Sequence, residues 1–370
     1  MKYFASIKLT VFCLLWLAVL TVWGTIFQVD NGIYQAQHRF FDSIVFFAYG
    51  YIPLPGGMLT LGLLFANLIG SFFVHYQAGW RMPGLMLTHL GLLLLLLGGL
   101  FTRITGIEGQ MSLLPGEGSN LAESLTEWEL MISDELSNVR DVHAIDFRRL
   151  REGTRFRLDD SGLRFRVIEA HANARAFGGE GEPQAGLANA SGIRTLRPVR
   201  LDKEPPMNRP GLILQVEGAQ EITRALLWGG EANHLALQLP GGGVRFLRLR
   251  RRQHELPLFL ELNDFQKSFY PNSQTPSDYR SLVTVRFGED HERNAIIKMN
   301  EPLRHQGWTF YQASFSQDPN SGMEFTVLAV TRNYGRLIPY WGTGMASLGL
   351  AMHFVQVQWM QSRRRRRKAA

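Results

Sequence analysis

Four apolar segments dominate the hydropathy pattern of the chain, three near its start and one near its end. They cover residues 9–27, 57–75, 83–103 and 337–357. A helix of about twenty residues crosses the roughly 30 Å hydrocarbon core of a bilayer. The pattern therefore predicts four transmembrane helices. The first is expected to be a retained anchor, because no small-residue cleavage site of a signal peptide follows it.

The polar stretch between the third and fourth segments has the alternation of β-strands. Short runs with a period of two are separated by clusters of Gly, Pro, Asn and Asp, and they lie at residues 163–170, 212–218, 234–240, 244–250, 281–288 and 323–330. We expect a mainly antiparallel β domain, shaped as a sandwich or an open barrel. Residues 120–136 alone show helical periodicity. Residues 174–206, rich in Gly, Ala and Pro, indicate a poorly ordered insertion.

The predicted fold class is thus an α+β membrane protein with three parts. Residues 1–103 form an N-terminal membrane domain, residues 104–336 the β-rich domain, and residues 337–370 the last span with a basic tail. Residues 30–55 are aromatic and broken by prolines, which favours an interfacial helix followed by a turn.

The distribution of basic residues predicts the orientation of the spans. Lys2, Lys8, Arg81 and the tail RRRRRK at 363–368 fall on one side, against Arg39 and Arg103 near the opposite ends. By the positive-inside rule both termini are cytoplasmic, and residues 104–336 lie outside the cytoplasmic membrane.

Composition excludes several classes of function. The formal net charge is +7, but the tail supplies six of these charges, so a nucleic-acid-binding surface is not indicated. Cys13 is the only cysteine, and the chain therefore has no disulfide of its own, no redox pair, no thiolate zinc site and no CxxCH motif. No nucleophile elbow, P-loop or dinucleotide-binding fingerprint is present.

Histidines inside or beside the spans are the candidate site residues. His89 is the one titratable side chain within the run PGLMLTHLGLLLLLLGGLFTR before its terminal arginine, and an unpaired polar group in lipid costs several kcal/mol. His75 and His353 fall in the same cytoplasmic leaflet because the spans alternate in direction. Imidazole ligation of haem iron is one use for such residues. The alternatives are a helix–helix hydrogen bond for His89 and snorkelling to water for His75 and His353.

Motifs at both ends of the chain resemble the ResB (CcsB) family of cytochrome c biogenesis proteins. The N-terminal ones are Gly24-Thr25 with Gln28, FFDS at 40–43, HLGLLLLLLGG from His89, and Glu108-Gly109. The C-terminal ones are NEPLRHQGWTFYQASF at 300–315 and NYGRLIPYWGTGMASLGLAMHF at 333–354. Between about residues 120 and 280 only the layout matches.

The resemblance implies a membrane subunit of a haem export and attachment complex. Its partner would be a ResC-type (CcsA) membrane protein with a tryptophan-rich segment, and the acceptor would be apocytochrome c. His89 would be an axial ligand of a transmembrane haem b shared with the partner, and His353 and His75 are the alternative ligands. The eight tryptophans of this chain are scattered, so we expect a non-catalytic subunit of the cytochrome c synthase rather than a complete enzyme. Trp308, Phe310 and Tyr311 are expected in the core of a strand.

Two other functions remain open from the residues. The chain could be a structural membrane protein that displays a β domain as a binding module, with His89 joining helices and no haem. It could also be a redox enzyme with its own b-type haem, for which His353 or His75 would have to supply the second ligand.

Overall fold

A computed structural model describes residues 5–369 except 78–82, 135–141, 160, 179–186, 221, 274–275, 289–290 and 318–321. The chain divides into two compact units. The helical unit comprises Met1–Ile107 and Thr331–Ala370, and the β domain comprises Glu108–Val330. The predicted C-terminal part therefore belongs to the same unit as the N-terminal helices.

Helices form most of the helical unit: α1 (Ile7–Asn31), α2 (Ile33–Ala36), α3 (Gly57–Gln77), α4 (Pro83–Thr105) and α5 (Ile338–Ala369). Over the described residues, three stretches are long and apolar enough to cross a membrane, namely Ile7–Asn31, Gly57–Val74 and Pro83–Thr105. They coincide with the first three predicted spans. The fourth span stays a prediction. Its helix is present, but small and polar residues and the basic tail make α5 less apolar than the other three.

Glycines bring α4 and α5 into backbone contact. Gly84, Gly91 and Gly98 are spaced by seven residues, so they share one face of α4. A Cβ atom on Gly91 would lie 2.5 Å from the backbone nitrogen of Ala346 and 2.6 Å from the carbonyl oxygen of Gly342. Only glycine fits such a seam, the small-residue packing that membrane helices use.

The segment 30–55, expected to be an interfacial helix followed by a turn, contains a short helical stretch followed by a hairpin. α2 continues into a single π-helical turn, Gln37–Phe41, and a two-stranded hairpin follows, with β1 (Val45–Ala48) paired to β2 (Ile52–Pro55). The rings of Phe40 and Phe46 lie 5.0 Å apart and pack against Trp23 of α1. Aromatic packing on α1 therefore organises this segment, and the hydropathy pattern did not reveal it.

Strands make up almost all of the β domain: β3 (Ile107–Leu113), β4 (Gly118–Ser133), β5 (Val142–Asp146), β6 (Arg155–Arg157), β7 (Arg164–His171), β8 (Ala174–Gly178), β9 (Leu187–Ala188), β10 (Ile193–Pro198), β11 (Gly211–Glu217), β12 (Arg224–Trp228), β13 (Leu235–Gln238), β14 (Val244–Phe269), β15 (Pro276–Phe287), β16 (His291–Lys298), β17 (Leu303–His305), β18 (Trp308–Gln317) and β19 (Glu324–Arg332).

These strands form a large sheet, a five-stranded sheet and a two-stranded ribbon. The large sheet has the order β16-β15-β14-β4-β3-β19-β18-β17, with β13 paired to β14 and β5 to β4. The five-stranded sheet has the order β6-β7-β11-β12-β9, and β8 pairs with β10. All pairs whose register is resolved are antiparallel except β12 with β9, which confirms the predicted mainly antiparallel domain.

A sandwich core joins the two sheets. Alternate residues of β4 and β14, such as Leu130 and Leu249, meet alternate residues of β7 and β11, such as Phe165 and Leu214. All four are at most 2% exposed, so the period of two that predicted these strands also buries one face of each. On the opposite face of β4, Glu129 and Arg250 form a cross-strand ion pair of 2.8 Å.

Two expectations for this domain are wrong in part. Residues 120–133 of the stretch with helical periodicity lie on strand β4, because pairing with β14 overrides local propensity, and residues 135–136 lie outside the described part. The expected poorly ordered insertion at 174–206 contains β8, β9 and β10. Within it Leu196 is 7% exposed and packs with Ala174 and Leu226, while residues 179–186 lie outside the described part.

Replacing Gly91 by alanine should destabilise the helical unit. The new Cβ would meet backbone atoms of α5, which cannot rotate aside, and overpacking of this kind costs about 1–3 kcal/mol. Thermal unfolding of the full chain in detergent would measure the loss. Gly99→Ala on the same helix is the matched control, because a Cβ atom there would meet no described atom within 4 Å beyond the backbone of its own helix. Equal melting temperatures for the two variants would contradict the packing argument.

Candidate functional site

His89 lies in the first half of α4 and is hydrogen-bonded to its own helix. Its Nδ1 atom is 2.8 Å from the carbonyl oxygen of Leu85, one turn earlier. Since a carbonyl accepts, Nδ1 carries the proton in this contact, and the lone pair of the neutral ring is on Nε2. Histidine ligands of metals are commonly held in this way, with the second nitrogen donating to a backbone carbonyl. The donor set therefore fits an axial ligand of haem iron.

His89 does not face α5. It lies five residues after Gly84, a rotation of about 140° at about 100° per residue, whereas Gly84 itself abuts the backbone of His353. His353 thus lies along the glycine seam, and its Nδ1 atom is buried with no hydrogen-bond partner among the described residues. His75 lies in α3, but its side chain is outside the described part. The structure does not bring His89 and His353 to one face of α4, and the three ligand assignments remain predictions.

A mainly apolar cavity of about 510 Å³ lies between α3 and α4. Leu96 and Arg103 line it, and they follow His89 by seven and fourteen residues, so all three share a face of α4. Arg103 is ion-paired with Asp42 at the rim. The face of α4 that carries His89 is therefore the face that opens toward this cavity, although His89 is not among the residues that line it.

The N-terminal motif residues converge beside this cavity. A Cβ atom on Gly57 would lie 2.8 Å from Cα of Phe41, and one on Gly24 would lie 3.2 Å from the ring of Phe41. Ser43 donates a hydrogen bond to the carbonyl oxygen of Arg39. The FFDS segment is thus packed closely between α1 and α3. The sequence showed these residues as separate motifs and gave no sign that they form one cluster.

Gln312 of the C-terminal motif belongs to a buried polar cluster in the β domain. Ser281 Oγ is 2.6 Å from Gln312 Oε1, and Gln312 Nε2 is 2.7 Å from Thr326 Oγ1. These three side chains are at most 5% exposed. Trp308 and Phe310 on β18 are buried as expected. Tyr311 is 38% exposed, because it points to the other face of the strand.

Three histidines of the β domain are destabilised in their charged form. Burial, followed by the nearby Arg293, lowers the pKa of His305, whose ring lies 4.6 Å from that of Phe287. Burial and then Arg252 lower the pKa of His254, and burial with Arg248 and Arg250 lowers that of His234. Within the described residues no group of three or more His, Cys, Asp or Glu could hold a metal ion.

Comparison of the amino-acid sequence with known proteins identifies a family and a relative to which this chain is similar. The ResB-like family matches residues 227–332, from β12 to the end of β19. The chain is also 23% identical over 348 residues to protein NrfI of Wolinella succinogenes. That alignment covers 93% of this chain and 34% of NrfI, so the chain spans about a third of the length of this relative. The two matches confirm the resemblance to the ResB-like family.

Acidification should destabilise the β domain below about pH 6.5. The folded state favours neutral His234, His254 and His305, so the unfolded state binds more protons once the pH falls below the ordinary histidine pKa. The stability is therefore complete above that pKa, and it is lost as the pH falls toward the folded-state values. Melting temperatures of the full chain between pH 8 and pH 5 would measure this.

The variant His305→Gln should weaken the acid dependence, because it removes one of the three titrating groups. His143→Gln, at an exposed position of β5, is the matched control. An unchanged pH dependence in His305→Gln would contradict the contribution of His305.

Proposed function

We propose that this chain is a membrane subunit of a cytochrome c maturation system that contributes His89 as one axial ligand of haem b. The ResB-like match and the similarity to NrfI both support a role in cytochrome c maturation. The observation that carries the haem assignment is the hydrogen bond from His89 to Leu85 within an apolar helix.

Each part of the chain has a role in this proposal. α4 orients the imidazole of His89 through its contact with Leu85, within the apolar helix that a porphyrin requires. Bound haem would supply the iron centre and the vinyl groups that are joined to apocytochrome thiols. This chain has a single buried cysteine, Cys13, so the acceptor thiols belong to the apocytochrome. The second axial ligand comes from a ResC-type partner.

The orientation is part of the proposal. Both termini lie in the cytoplasm, α5 is the fourth span, and the β domain lies in the periplasm, where it supports delivery of haem to apocytochrome c. The basic residues at the C-terminal end of α5 and the positions of Lys2 and Lys8 support this orientation.

Haem occupancy of purified protein tests the ligand. The Soret band of the chain purified with a ResC-type partner should be lost or strongly reduced in His89→Ala, and added imidazole should restore it by occupying the vacated position. His353→Ala and His75→Ala are the controls at the alternative ligands, and both should retain the band. Equal yield and melting temperature would establish that each variant is folded.

Full haem occupancy in His89→Ala would refute the ligand assignment. Loss of the band in His353→Ala, with His89→Ala unaffected, would move the site to the α4–α5 seam.

A second function is favoured by the same hydrogen bond. The contact with Leu85 provides a hydrogen-bond partner for His89 without any cofactor. This is expected for a structural membrane protein that displays a β domain as a binding module. Absence of any haem spectrum from the wild-type chain, alone and with its partner, would support this alternative.

A further inference from the structure

One face of the five-stranded sheet carries arginines in directly opposed pairs. Arg155 of β6 lies opposite Arg166 of β7, and Arg157 lies opposite Arg164. All four are exposed, and they line a concave region of about 450 Å³ with Gln215 and Glu217 of β11. Phe156 and Phe165 stack beneath them at 4.9 Å on the core side.

This arrangement is electrostatically unfavourable within the chain. Like charges directly opposite each other destabilise a strand pair, and these two pairs are of the closer, non-hydrogen-bonded type. Arg157 is 2.6 Å from Asp159, and Arg164 is 3.4 Å from Glu217. Among the described residues, no carboxylate lies within ion-pair distance of Arg155 or Arg166.

The same arginines lie beside an open sheet edge. β6 is the terminal strand of its sheet, and of the described strands it pairs with β7 alone. Val167 donates to the carbonyl oxygen of Thr154, and Leu158 donates to that of Leu163. In an antiparallel pair, every second residue of a strand directs its N–H and C=O groups to the neighbouring strand, and the residues in between direct theirs away from it. The backbone groups of Arg155 and Arg157 therefore face the open edge.

Charge at a short edge strand is a common protection against aggregation, because a second copy would bring arginine against arginine. The arginines disfavour pairing with a second copy of this strand, but they do not disfavour pairing with an acidic strand. An added strand with carboxylates at alternate positions would pair with the outward backbone groups and turn the repulsive face into opposite-charge cross-strand pairs.

We propose that the edge of β6 binds an extended acidic segment of a partner polypeptide by strand addition. The backbone of Arg155 and Arg157 provides the hydrogen bonds, and the four arginines select glutamate or aspartate at every second position. This site is separate from His89 and does not depend on haem binding.

A labelled seven-residue peptide with glutamate at alternate positions, separated by threonine, is the direct probe. Its fluorescence anisotropy would be followed with the full chain in an uncharged detergent. We expect binding about tenfold tighter than that of the same peptide with glutamine in place of glutamate. Methylation of the backbone nitrogens on the pairing side should abolish binding while leaving the charge unchanged.

Protein variants separate charge from backbone pairing. Arg155→Gln with Arg166→Gln should weaken binding roughly five- to tenfold. The matched control is Arg293→Gln with Arg304→Gln, two exposed arginines of β16 and β17 in the large sheet, and it should bind like wild type. Arg157→Pro should bind several-fold more weakly than Arg157→Gln, because it also removes the outward N–H.

The fold should tolerate Arg157→Pro, since that N–H makes no bond to β7 and proline is accepted on edge strands. Equal melting temperatures of the proline and glutamine variants would verify this.

Equal binding by the patch and control variants would overturn the proposal, as would full binding of the methylated peptide. Patch-dependent binding to phosphatidylglycerol vesicles without peptide binding would also overturn it, and would assign the arginines to a lipid surface.

Discussion

Backbone contact between α4 and α5 is the constraint on which the helical unit depends. The two helices are separated by more than two hundred residues of chain, yet Gly342 and Gly349 of α5 meet Gly91 and Gly84 of α4 closely. Helices in lipid gain little from burying apolar side chains, so close backbone packing must supply the association. A hydroxyl–amide hydrogen bond from Thr10 to Asn67 joins α1 to α3 at 2.6 Å, so the four long helices are linked in two pairs by different interactions.

The contact with α5 also determines which face of α4 remains uncovered by that helix. Because the glycines occupy one side, His89 and Arg103 are turned toward the side that opens to α3. The cavity there exists because α3 and α4 do not pack as closely as α4 and α5. Arg103 and Asp42 of the FFDS segment both line the cavity and form an ion pair, which links the N-terminal motif to the end of α4.

The sequence predicted those parts of the fold that depend on local periodicity. The first three spans and the strands β7, β11 and β15 follow from it, since each buries a continuous stripe or one alternating face. β14 was predicted only over 244–250, because the run RRRQHELP interrupts the alternation, whereas the strand continues to Phe269. Gly91 and Gly342 lie at the contact between α4 and α5. However, Gly99 and Gly344 on the same helices face open space, and only the relative rotation of the helices distinguishes the two sets. For the same reason, the sequence placed His89 and His353 in one leaflet but could not show that they lie on different sides of α4.

The positions of His89 and α5 limit the directions from which a second ligand could approach a haem bound to His89. A haem bound to His89 would have its iron on the side of α4 away from the seam, so its second face would have to be met by groups approaching from that side. α5 already occupies the opposite side and is held there by backbone contacts that leave little freedom to rotate. If His89 is an axial ligand as proposed, the second ligand would come from the proposed partner or, as the alternative within this chain, from His75 of α3. The chain spans only about a third of NrfI, so a relative exists in which further polypeptide is covalently attached to the region that aligns with this chain. Replacing His75 and His89 separately therefore distinguishes a site completed within the chain from one completed by a partner, because only the former loses its haem in both variants.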